Sequence, residues 1–109
     1  MNILTIEKSR DQQSAYDWSN IEYGSSRVGK LRTRQQEEEL VIYSIQIFPE
    51  YQGHGFGTKI VEYLKNSYAT LVADHVRPSA KGFWDKMGFI PVSQDQFMYT
   101  RDTASNAQP

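Results

Sequence analysis

The stretch with the most chemistry in it is Phe48-Pro49-Glu50-Tyr51-Gln52-Gly53-His54-Gly55-Phe56-Gly57-Thr58-Lys59. An apolar run ends at Pro49, three glycines follow at alternate positions, and a helix-like pattern starts at once. Glycine permits positive φ and lets a ligand approach the backbone closely. The first N–H groups of a helix have no internal partner and lie at the positive end of its dipole. A turn built this way can hold a pyrophosphate with backbone donors. Three glycine loops compete for the pattern. A Walker A loop needs a second glycine five residues after the first, followed by lysine, and Gly53 is followed at that place by Thr58 and Gly55 by Ile60. A dinucleotide fingerprint needs Gly-x-Gly-x-x-Gly, and residues 53–58 lack the last glycine, although Asp74 lies about where a ribose-binding acid belongs. The third pattern, Gln/Arg-x-x-Gly-x-Gly/Ala behind a strand that ends in proline, is met in full by Gln52 to Gly57.

The elements that must position this loop follow from periodicity. Glu39 to Phe48 is the strongest strand, with Val41, Tyr43, Ile45 and Ile47 apolar on the odd positions and a mixed even set; apolarity on both faces predicts a central strand covered on both sides. Gly55 to Asn66 reads as a helix whose inner side is Phe56, Ile60, Val61, Leu64 and Tyr68. Thr70 to Val76 reads as a second buried strand. A second helix starts near Pro78, with Ala80, Phe83, Trp84 and Met87 on one stripe and Gly88 as its C-terminal cap. Asn2 to Glu7, Arg27 to Arg34 and Phe97 to Arg101 read as further strands, and Gln35 to Glu38 as a turn. Ala15, Trp18 and Ile21 recur every three residues and predict a short helix within Ser9 to Tyr23. The sum is a mixed α/β domain over residues 1–101, with 102–109 as a frayed polar tail.

Composition narrows the chemistry. The 109 residues contain no cysteine, which excludes thiol nucleophiles, Cys-ligated metals and disulfides, and the two histidines, His54 and His75, make an all-His metal site unfavourable. The net charge of −1 gives no global field toward nucleic acid or an anionic membrane. Arg27, Lys30, Arg32 and Arg34 share one strand, but their spacing divides them between its faces, and a solvated edge is the simple reading. No apolar run reaches 18 residues and no signal-peptide pattern opens the chain, so a cytoplasmic setting is expected.

Two segments together resemble the GNAT superfamily, the acyl-CoA-dependent N-acetyltransferases. Ile47 to Gly57 is similar to the family's strand and pyrophosphate loop, and Ser79 to Phe89 (SAKGFWDKMGF) to its second helix and closing Gly-Phe. With the strand between them they cover about residues 40 to 92. The resemblance implies a centrally splayed sheet flanked by helices. It implies acetyl-CoA as co-substrate, its pantetheine arm pairing with backbone near Ile47 and Phe48. The pyrophosphate would sit on Gln52, Gly53, His54, Gly55, Phe56 and Gly57, helped by Thr58 and Lys59, with Trp84 packing against the cofactor or filling the core. It also implies direct acetyl transfer to an amine acceptor, a small molecule or a protein. The family often uses a glutamate on or near the strand of its first motif, which makes Glu39, opening that strand, the first candidate base; His75 is the second, since imidazole exchanges protons near neutral pH. Three departures stand out. Trp84 occupies a place where many members have an acidic tyrosine, and indole donates a hydrogen bond but supplies no proton. Arg77 stands where asparagine is frequent. The region between the first two strands is short, which leaves the acceptor pocket open or completed by a second copy. The alternative is an acyl-CoA-binding module without catalysis.

Overall fold

The structure, a computed structural model, describes residues 3–8 and 17–101. Seven strands form one sheet: β1 (Leu4–Lys8), β2 (Asp17–Tyr23), β3 (Ser26–Gln36), β4 (Glu39–Ile47), β5 (Thr70–Ala73), β6 (Ile90–Pro91) and β7 (Phe97–Thr100), in the order β1-β2-β3-β4-β5-β7-β6. Helix α1 (Phe56–Ser67) crosses from β4 to β5, which run parallel, and α2 (Lys81–Lys86) follows β5 after a 3-10 turn at Pro78–Ala80. The other neighbours are antiparallel. This is the mixed α/β sheet expected, with one substitution of element.

Residues 17–23 form β2 rather than part of a helix; residues 9–16 lie outside the described residues, as does the tail 102–109. The three-residue spacing misleads because the inward side of β2 is Ser19 and Ile21, both buried, alternating with half-buried Trp18 and Asn20. A polar residue in the core hides a period of two, and pairing with β1 on one side and β3 on the other decides the conformation. The expected turn over residues 35–38 contracts to Glu37 and Glu38, and β3 runs on through Gln36.

Both helices cover the same face. Ile60, Val61 and Leu64 of α1 and Trp84 of α2 share a core with Ile21, Leu31, Leu40, Ile42, Leu71 and Phe89. Lys65 of α1 donates to the Met87 carbonyl just past α2. Val41 and Val72 are buried on the opposite face, outside that core.

The double apolar pattern of residues 39–48 has a specific cause. In the β3–β4 ladder Thr33 faces Ile42 and Arg32 faces Ser44, so Tyr43 is an extra, bulged residue. The inward positions change parity there, from Leu40 and Ile42 to Ile45 and Ile47. Much of what reads as two apolar faces is one face seen through a phase shift.

Candidate active site

The sheet splits at its centre. The β4–β5 ladder runs from Glu39 opposite Thr70 to Ile42 opposite Ala73, and closes with the Asp74 N–H donating to the Ile42 carbonyl at 2.9 Å. Beyond that bond the strands diverge around a cleft of about 790 Å³. Its β4 wall is Ile42 to Ile47, its far wall is Asp74 to Arg77, and Ala80, Phe83 and Trp84 close the side toward α2.

The backbone of β4 points into this gap at defined residues. Phe48 N–H donates to the Val28 carbonyl at 2.9 Å. Alternation along an antiparallel ladder then turns the polar groups of Ser44 and Gln46 toward β3 as well, and those of Ile45 and Ile47 toward the gap. The Ile47 carbonyl confirms the direction, since it accepts from Gln52 Nε2 at 2.9 Å. Of the two residues expected near the ligand, Phe48 has its N–H bonded to β3 and its carbonyl accepting from Tyr51 N–H at 2.8 Å, so the gap-facing backbone is that of Ile45 and Ile47.

At the far end of β4, after a 3-10 turn at Pro49–Tyr51, the chain enters the glycine loop. Gly53 and Gly55 have φ of 81° and 79°, a left-handed conformation that costs an L-residue roughly 1–2 kcal/mol. A Cβ at either would meet nothing within 4 Å, so conformation and not space demands glycine there. Lys59 N–H bonds the Gly55 carbonyl at 3.1 Å, so the N–H groups of Phe56, Gly57 and Thr58 precede the helical ladder and have no partner within it. The Phe56 side chain is buried, edge-on to Tyr23 at 5.0 Å, and brings only its backbone to the loop. Gln52, His54, Thr58 and Lys59 are exposed, and the Lys59 ammonium lies 5.7 Å from the Tyr23 ring centroid. Trp84 is buried, 4.8 Å from Phe89 and 5.1 Å from Phe83 between ring centroids, yet also edges the cleft. Core packing and cleft wall are one position.

The opposite end holds Asp74 and His75. His75 has φ of 56°, strain of about 1–3 kcal/mol that needs local support. Asp74 supplies it: its Oδ1 accepts the His75 N–H at 2.9 Å and lies 3.4 Å from His75 Nδ1. The imidazole is largely exposed and sits 6.1 Å from the Tyr43 ring. Glu39 is not brought to this place. It opens β4 between Gln36 and Thr70, three residues before the cleft begins at Ile42, about 10 Å of strand. Glu39 lines a separate shallow groove with Gln36, Glu37, Glu38 and Thr70.

Residues that the sequence reading did not single out as site residues also line the cleft: Arg32, Tyr43, Ser44 and Asp74. Asp74 was findable as the neighbour of His75. Tyr43 was not, because its exit into the cleft depends on a bulge that only the β3 register creates.

A family model of the acetyltransferase (GNAT) domain matches residues 18–91. The chain belongs to the GNAT family. An uncharacterized N-acetyltransferase from Bacillus licheniformis is 32% identical over 97 residues, covering 79% of this chain and 58% of the relative. The chain thus spans little more than half the length of that curated relative. Among solved structures, the Bacillus subtilis N-acetyltransferase YlbP in complex with coenzyme A is similar at a TM-score of 0.63 and 20% identity, over 78% of this chain and 68% of that one. The ribosomal-protein-S18-alanine N-acetyltransferase of Escherichia coli is similar at 0.65 and 16%, over 90% and 91%. At these identities the two structures share the fold.

Proposed function

We propose that this GNAT domain catalyses transfer of an acetyl group from acetyl-CoA to an amine, directly and without a covalent enzyme intermediate. One observation carries the reading: a single cleft runs from Gln52 and Gly57, the two ends of the glycine loop, past the gap-facing backbone of Ile47 and Ile45, to the Asp74–His75 pair. The parts fit the parts of acetyl-CoA in order. The N–H groups of residues 56–58 suit a pyrophosphate, the two β4 residues suit the amides of a pantetheine arm, and the fold neighbour YlbP carries coenzyme A. Acetyl-CoA supplies the thioester whose acetyl carbon forms the new C–N bond as its C–S bond breaks.

The protein's own task is the proton. A lysine-like amine has a pKa of ~10.4 and must be neutral to attack. The reading gives that proton to His75 Nε2, supported by the place of His75 in the cleft wall and by the Asp74 carboxylate 3.4 Å from its Nδ1. The second reading, an acyl-CoA-binding module, is favoured by Trp84 at the α2 wall, since an indole can donate a hydrogen bond but supplies no acidic proton.

Calorimetric titration with acetyl-CoA, paired with thiol release against a panel of amines, separates the two. Binding with amine-dependent thiol release is expected. Binding without release from any amine would leave the module, and no binding at millimolar acetyl-CoA would overturn both.

A further inference from the structure

We infer that Gln52 is a positioning residue: its side-chain amide holds the rim between Ile47 and the first turn of α1 in the shape that a bridging ligand needs; the inference rests on the acetyl-transfer reading of the same cleft. β4 ends at Ile47 and α1 begins at Phe56. Both ends are anchored, Ile47 packed against the helix-side core and Phe56 buried within it. The connector between them carries the left-handed Gly53 and Gly55 and is exposed from Gln52 to Gly55, so burial does not set the path of that part.

Hydrogen bonds set it instead. Phe48 N–H donates to the Val28 carbonyl at 2.9 Å, Tyr51 N–H to the Phe48 carbonyl at 2.8 Å, and Gln52 N–H to the Pro49 carbonyl at 3.3 Å. These are backbone bonds that almost any residue at position 52 could share in. A further bond, from Gln52 Nε2 to the Ile47 carbonyl at 2.9 Å, is made by a side chain. Residue type enters there. The bond needs a donor, which an ionised glutamate lacks, and a reach that asparagine misses by one methylene.

That bond has two consequences for a ligand. It occupies the Ile47 carbonyl and leaves the Ile47 N–H, so the ligand group that meets this residue must be an acceptor, as the carbonyls of a pantetheine arm are. It also fixes the start of the glycine loop against the end of β4, and Gln52 and Gly57 both line the cleft. A ligand that reaches from the Ile47 N–H to the amides of residues 56–58 passes this rim, and a rim ordered before binding spares it the ordering cost. A ligand seated on the α1 amides alone gains little from the bond, because α1 is held by its own packing.

Equilibrium binding of coenzyme A and of ADP tests this, since ADP carries a pyrophosphate but no pantetheine arm. Gln52→Met keeps the length and removes the donor. It should weaken coenzyme A about fivefold, the worth of one net hydrogen bond, while ADP changes less than twofold. Gln52→Asn should lose as much, and in both variants the Tyr51 N–H should exchange faster as the turn at Pro49–Tyr51 loosens. Equal weakening of coenzyme A and ADP would make Gln52 a phosphate contact and overturn the proposal, as would coenzyme A affinity unchanged in both variants. Wild-type protein that binds no coenzyme A would sink the acetyl-transfer reading, and the proposal with it.

Discussion

An imidazole that takes a proton from an incoming amine must reach the acetyl group and keep one nitrogen turned to it. In the proposed reaction His75 has that task, lining the cleft beside Asp74. Asp74 uses one oxygen to hold the strained backbone and stands beside Nδ1, which leaves Nε2 for the amine. Glu39 has the chemistry of a base but the wrong address, at the closed end of the β4–β5 ladder. The two are therefore expected to respond differently. His75→Gln should lower kcat about a hundredfold or more with little change in acetyl-CoA affinity, whereas Glu39→Gln should stay within about twofold of the parent by thiol release. The reverse pattern would return the base to Glu39. At this scale the sequence was readable where backbone geometry dictates residue type, as at Gly53 and Gly55. It was opaque at Tyr43, whose place in the cleft wall comes from the register of the neighbouring strand.

The elements divide in the same way. The run from β4 through the loop into α1 could be traced from the chain because each part declares itself locally: an apolar strand, a proline stop, alternate glycines, an amphipathic helix. β2 could not, since its inward Ser19 breaks the alternation and its conformation is imposed by β1 and β3. The loop's local character also makes its glycines separable. Gly55→Ala puts a Cβ on a residue at φ 79° and should cost roughly 1–2 kcal/mol by urea denaturation, with acetyl-CoA binding weakened at least tenfold as the amides turn away. Gly57 is helical, and a Cβ there would stand 3.5 Å from Phe83, an ordinary contact. Gly57→Ala should therefore leave stability equal or slightly higher. A Gly55→Ala protein with unchanged stability and binding would show that the left-handed turn does not shape the cradle.

Taken as a whole, the molecule is a sheet in two parts. An antiparallel group, β1 to β4, and a smaller group, β5, β7 and β6, meet along four residue pairs and are braced on one face by α1 and α2. Past the bond from Asp74 N–H to the Ile42 carbonyl, nothing among the described residues of the sheet ties the halves together, and the gap-facing groups of Ile45 and the Ile47 N–H are left to water or a ligand. A ligand bonded along β4 and packed against Phe83 and Trp84 would act as the missing strand and should stabilise the fold as a unit. At a coenzyme A concentration a hundred times its Kd, linkage adds about 2.7 kcal/mol. For a chain near 100 residues that corresponds to a rise in Tm of roughly 10 °C or more. Calorimetry should show that shift, and amide exchange should slow at Ile45 and Ile47. The Ile47 N–H is the more telling probe, because its carbonyl is already held by Gln52 and only its donor waits for a partner. A Tm that rises while both amides exchange as before would place the ligand outside the split, and the order of parts along the cleft would lose its meaning.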